Sequence, residues 1–262
     1  MDFLIVLVVL PLVSYYSTRL NVLIFNIAWA TLYTAHTALW LEIWGTLLVR
    51  LVFYFLPSII FFIFDVAAPG VAVWCKEYGE AGLPTGSKRS WPKKKEAIIV
   101  GCAVGNFALG LVVQYFLERF LTRTWRPAVT ATLVVPSLWT LTRQLFFGFV
   151  LREALTYAIH RWVLHSKESV CASLVKLHKS WYHDLRTTFP LTAHYDHPPI
   201  YMLSIWLPMY LPVLLLRFHT VTFLLYTLLI SLEEVFVFCG YCVAEFPFIY
   251  SGAPCRVARC RW

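Results

Sequence analysis

Long stretches without charge constrain this chain more than any other feature. The first 64 residues carry only Asp2, Arg19, Glu42 and Arg50 as charged side chains, and the run from Ala97 to Leu117 carries none. A helix needs about 20 mostly apolar residues to cross the hydrocarbon core of a bilayer. Hydrophobic residues make up 60% of the chain and charged ones 14%, against roughly 45–50% and 25% in a soluble globular protein. Ordinary soluble, disordered, coiled-coil, collagen-like and small secreted folds are excluded. The predicted fold is all-α, a polytopic membrane helix bundle with a cytosolic histidine-rich cap.

Apolar runs at 3–17, 20–41, 47–64, 97–117 and 127–151 read as membrane segments. The first has neither a basic n-region nor a small-x-small cleavage site, so it reads as a retained anchor or interfacial helix. Runs at 200–216 and 220–232 flank Arg217-Phe218-His219 and predict a tight helical hairpin. The organisation is then N-terminal membrane segments (1–75), a basic loop (76–96), two spans (97–151), a histidine-rich region (152–199), the hairpin and its following segment (200–250), and a tail (251–262). Lys88, Arg89, Lys93, Lys94 and Lys95 lie on the same side of the two spans as the histidine-rich region. Both regions are basic, which places them in the cytosol by the positive-inside rule. The net charge of +8 reads as loops held near anionic lipid, not as a nucleic-acid footprint. Seven scattered cysteines read as free thiols, because Cys239-Gly-Tyr-Cys242 has no partner motif and no βαβ context.

Histidine placement carries the chemistry. His36 and His219 are isolated in apolar surroundings and read as packing residues. The other six of the eight, His160, His165, His178, His183, His194 and His197, fall within one short window. Imidazole binds a metal through one neutral nitrogen while the other is oriented by an acceptor. A cluster rich in His and poor in Cys fits zinc or non-haem iron at an open site better than a structural zinc or an iron–sulfur cluster. His160 and His165 are five residues apart, as are His178 and His183. On an ideal helix that interval separates side chains by about 140°. Each pair needs a helix end or a π-bulge, or its members reach different metals. Asp196, between His194 and His197, is a candidate for orienting an imidazole. No histidine is followed five residues later by aspartate, which removes an H-x4-D acyltransferase. A bis-histidine haem protein would need its histidines inside facing spans, and a transporter would show intramembrane charge beyond Arg143.

Glu153-Ala-Leu-Thr-Tyr157-Ala-Ile-His160-Arg161-Trp-Val-Leu-His165 resembles the first histidine box of the fatty acid hydroxylase/sterol desaturase superfamily, with Glu153 where Asp is usual. His178-Lys179-Ser180-Trp181-Tyr182-His183 is similar to the second box, in the H-x-x-W-x-H form of fungal members, with Tyr182 where His is common. Phe189-Pro190 through His194-Tyr195-Asp196-His197-Pro198 is similar to the segment that follows, and Leu232-Glu233-Glu234 through Gly240-Tyr241 to the next. Asp65, Pro69 and Asn106 also fall where the family tends to place such residues. The resemblance implies a helix bundle with histidines near one membrane face. It implies O2-dependent hydroxylation or desaturation of a lipid (fatty acyl, sterol or related apolar intermediate) at a di-iron centre. Electrons would come from NAD(P)H, typically through cytochrome b5 and its reductase, at the endoplasmic reticulum. The implied metal ligands are His160, His165, His178, His183, His197 and His194, with Tyr157, Asp184 and Asp196 as residues that support them.

The family's third box, near H-x-x-H-H, has no counterpart here. Arg256-Val-Ala-Arg259 is similar to the segment that leads into it, and no histidine follows His219. Three expectations stay open: a sequence that stops ahead of the box, a site completed by Asp184, Asp196 or Glu234, or a catalytically degenerate paralogue serving as membrane scaffold or lipid-binding protein.

Overall fold

A computed structural model describes residues 20–86, 94–166, 171–185 and 187–241. The predicted segment 3–17, the charges Lys88, Arg89 and Lys93, and the tail from Cys242 onward lie outside the described residues. Helices dominate, and the described residues contain no strand, only the isolated bridges Lys76–Tyr241 and Thr130–His219.

Helix α1 (Leu20–Ala35) is apolar and exposed over most of its surface, and is tied to the bundle by Trp29, whose Nε1 donates to Thr132 O at 2.9 Å. Thr37 restarts the chain as an N-cap, its hydroxyl accepting from Trp40 N at 3.2 Å. The predicted segments 20–41 and 47–64 are therefore divided differently. A short helix precedes one unbroken helix of 30 residues, α2 (Ala38–Ala67), because nothing between 42 and 46 stops a helix. Helix α3 (Pro69–Cys75) follows, then α4 (Lys94–Thr124), longer than the charge-free core 97–117 that announces it. The predicted span 127–151 is also displaced. Pro127 and Pro136 keep this stretch out of helix, and α5 begins only at Leu138, with Ser137 capping Thr140 N. It runs to Ile159 and continues as a wide π turn, His160–Leu164. Helix α6 (Ala172–Trp181) leads into the 3₁₀ turns Tyr182–Asp184 and Pro190–His194. The hairpin is as expected: α7 (Pro198–Leu216) turns through Arg217 in the left-handed region (φ 52°) into α8 (Thr220–Phe238). Helices α2, α4, α7 and α8 are long and apolar enough to cross a membrane.

Three helices contain π turns. Those at Leu51–Phe55 in α2 and Met202–Trp206 in α7 each end two residues before a proline, Pro57 and Pro208. A proline inside a helix cannot donate to the preceding turn and clashes with its carbonyl, so a widened turn relieves it. The third, in α5, has no proline after it.

Core packing falls into two clusters. At the hairpin end, Phe218, Phe223 and Tyr226 are fully buried with Tyr210 and Val213. Gly148 of α5 makes room there, since a Cβ would sit 2.7 Å from Phe218 Cζ. At the other end Tyr54, Phe55, Phe107, Phe189, Val235 and Phe238 pack beneath the histidine-rich region.

The buried carboxylates of the bundle are hydrogen-bonded, as burial demands. Glu42 accepts from Gln114 Nε2 at 2.7 Å and from Tyr210 at 2.9 Å, and Glu118 accepts from Ala128 N at 3.0 Å. Lys76 Nζ lies 2.7 Å from Asp65 and donates to Cys239 O at 2.9 Å, while Tyr241 donates to Asp65. This clamp ties the end of α2 to the chain leaving α8. Removing one partner of a buried pair strands the other charge, at a cost of about 3–5 kcal/mol. Lys76→Met should therefore lower stability by about that much in detergent unfolding, and adding Asp65→Asn should restore most of the loss.

Candidate metal centre

The π turn at the end of α5 brings the first histidine pair together. His165 N donates to His160 O at 3.0 Å, an i→i+5 bond, and the two rings come to 4.6 Å between centroids. The one-residue insertion cancels the divergence a regular helix would impose. The second pair uses the other solution. Helix α6 ends at Trp181, and the tighter 3₁₀ turn swings His183 back until its ring is 5.0 Å from that of His178. The two pairs then face each other, with His160–His178 at 5.4 Å, His165–His178 at 5.7 Å and His165–His183 at 5.4 Å. One ring nitrogen from each of His160, His165 and His178 lies within 4.8 Å of the others, a spacing that one metal ion could bridge.

Protons are placed by the surroundings. His178 is buried, and its Nδ1 is 2.9 Å from Asp196 Oδ2. An ionised carboxylate only accepts, so the imidazole proton sits on Nδ1 and Nε2 presents a lone pair. Nε2 of His178 and of His165, and Nδ1 of His197, are buried without a hydrogen-bond partner among the described residues. Burial, then the neighbouring His178, holds the His165 and His183 pKa values below the usual imidazole range, which keeps both rings neutral at pH 7. Neutral imidazoles with open lone pairs are what a first-row divalent ion requires. The donor set fits iron or zinc.

Asp196 is itself fixed. It is 2% exposed, its Oδ1 accepts from His197 N at 2.7 Å, and its carbonyl accepts from Asn106 Nδ2 at 2.8 Å. The ring of His197 stands edge-on to Trp181 at 5.2 Å. The remaining sequence candidates are elsewhere. His194 is fully enclosed, with Nε2 3.1 Å from Glu234, Nδ1 3.3 Å from the Tyr201 hydroxyl and its ring stacked on Tyr54. Both of its nitrogens are engaged. Tyr157 is exposed and accepts from Arg161 Nη1 at 2.7 Å. Asp184 lies in the turn that carries His183, and its side chain falls outside the described residues. Glu234 is held by Arg50 and His194.

Sequence reading missed the ion pairs that brace this region. Arg50 of α2 donates to Glu234 of α8, and Arg152 of α5 donates to Glu233 at 2.5 Å. The available signal was that Arg50 interrupts an apolar run, where a charge needs a partner. A cavity runs from His160 and His178 into the bundle, with Ile205, Met209 and Phe238 on its apolar wall.

Residues 145–257 match the family model of the fatty acid hydroxylases. Over that stretch the chain is similar to the fatty acid hydroxylases. That match begins inside α5 and includes all six clustered histidines. The family is one of lipid-modifying oxidoreductases that use iron. No curated relative and no solved structure matches the chain.

His194 gives a pH prediction for the fold. Burial, its largest influence, lowers its pKa despite the opposing effect of Glu234. The unfolded chain thus takes up this proton more readily than the folded one, so stability is intact above about pH 6.5 and falls as pH drops below it. His165, His183 and His219 shift in the same direction. The detergent unfolding temperature should decline from pH 7 to pH 5, and His194→Gln should shrink that decline.

Proposed function

We propose that this protein is a membrane-bound, O2-dependent lipid hydroxylase or desaturase whose histidine cluster holds iron. The observation carrying this reading is the convergence of His160, His165 and His178 around one point, with Asp196 fixing the proton of His178. His183 and His197 are the residues proposed for a second ion, which the family resemblance requires. His194 is left out of the ligand set, because Glu234 and Tyr201 occupy its nitrogens.

Iron held by these residues supplies activation of O2 for attack on an unactivated C–H bond, chemistry that no side chain provides. The chain's own residues do the rest. Asp196 orients His178 and raises its basicity. The apolar wall at Ile205, Met209 and Phe238 admits a hydrocarbon chain beside His160 and His178 and keeps bulk water out. Electrons are proposed to come from NAD(P)H through cytochrome b5, delivered from the cytosolic face of the endoplasmic reticulum. The basic residues Arg161, Lys176 and Lys179 lie within two residues of the cluster histidines in the sequence and would favour an acidic partner there.

The test is metal content of the detergent-purified chain together with O2-dependent lipid oxidation. Wild type should retain iron. His160→Ala/His183→Ala should lose most of it, and Asp196→Asn should weaken metal affinity about 10–100-fold while leaving the fold intact. A well-folded wild type that binds no metal under iron loading overturns this reading in favour of a scaffold or lipid-binding paralogue.

A further inference from the structure

The wall of the histidine cavity carries a charge that the metal chemistry does not use. Arg152, Thr156 and His160 succeed one another at intervals of four on α5, and all three line the cavity. Arg152 therefore sits two turns from His160, about 12 Å along the helix, on the side away from the histidine end. It is 8% exposed, yet among the described residues its guanidinium donates one hydrogen bond, from Nη1 to Glu233. Glu153 is 3.1 Å from the same nitrogen. A guanidinium has five N–H donors in a planar fork and cannot lose its charge in a protein. Here the fork is anchored at one tip and borders the cavity.

Its surroundings decide what it can take. Arg152 is countered by Glu153 and Glu233, while Glu234, which also lines the cavity, is countered by Arg50. Of the charged residues that line the cavity, one guanidinium, Arg152, meets two carboxylates, Glu234 and Asp196, so the wall has no positive charge to spare. A carboxylate or phosphate entering there would be desolvated against a net negative wall, and burying such a charge costs far more than burying a neutral polar group. A hydroxyl, ketone or amide oxygen carries no net charge and can accept from the Arg152 N–H groups that Glu233 leaves unused.

We propose that Arg152 binds a neutral oxygen function of the lipid, remote from the carbon that is oxidised, so that the substrate is a neutral oxygenated lipid and not a free fatty acid or phospholipid. The inference rests on the reading of this cavity as the lipid site of an oxygenase. The oxygenated end enters first and seats against Arg152, with Thr156 one turn nearer the metal. The carbon skeleton lies along Ile205 and Met209, which leaves the other end at His160 and His178. Arg152 is thus a specificity residue, whereas the histidines hold the metal.

Binding tests this without turnover. Full-length protein in nanodiscs, loaded with tritiated oleyl alcohol, is challenged with oleyl alcohol, oleamide, oleate and 1-octadecene, which share a chain and differ at the head. The alcohol and amide should compete at least tenfold better than oleate and octadecene. Arg152→Gln should erase most of that preference, since a hydrogen bond from a charged donor accounts for about a ten- to hundredfold effect. Oleate competing as well as the alcohol against wild type overturns the proposal without any variant. A folded Arg152→Gln that keeps the full preference overturns it too. His160→Ala/His183→Ala should retain the head-group preference while losing iron, which separates failure of this inference from failure of the oxygenase reading.

Discussion

The amide of Asn106 holds the piece of backbone on which the site depends. Residues 189–197 run between the helices without forming a long helix of their own, and buried carbonyls need partners inside the protein. One side-chain nitrogen, from the middle of α4, donates to both His194 O at 2.9 Å and Asp196 O at 2.8 Å. Tyr54 adds a third bond, to Pro190 O at 3.1 Å. With its carbonyls satisfied, the segment can be buried, and burial presents Asp196 to His178. Glu234 locks the same segment from α8 through His194, while Arg50 neutralises that carboxylate from α2. Four parts of the chain far apart in sequence thus converge to orient one imidazole.

The sequence shows the membrane class, the hairpin and the histidine window because these are written locally, as apolar runs, turn residues and repeated side chains. It even poses the right geometric problem. Pairs five apart cannot share a regular helix face, and the two pairs solve this in different ways, one by a π turn and the other by a helix end. What stays hidden is long range. Nothing near Arg50 names Glu234, 184 positions away. His194 looks like any other histidine of the window until Tyr54, Tyr201 and Glu234 enclose it. Helix starts were misplaced where prolines and a threonine cap, not hydrophobicity, set the boundary, at Thr37 and at Leu138.

The match to the fatty acid hydroxylases covers 145–257, whereas several residues that brace the site precede it. Arg50, Tyr54 and Asn106 all belong to helices ahead of the matched stretch. The domain as matched is therefore not a self-sufficient physical unit. Its buried backbone and its central carboxylate are completed by α2 and α4.

The unprompted π turn of α5 has an effect on the outer face as well. Tyr157 and Trp162 are also five residues apart, both are exposed, and their rings meet at 6.5 Å. The extra residue that aligns His160 with His165 on the inside keeps these two aromatics on one stripe outside, in line with Phe146 and Val150. Tyrosine and tryptophan settle at the boundary between hydrocarbon and headgroups. A single inserted residue therefore aligns two faces of one helix at once, an imidazole pair inside and an aromatic pair outside.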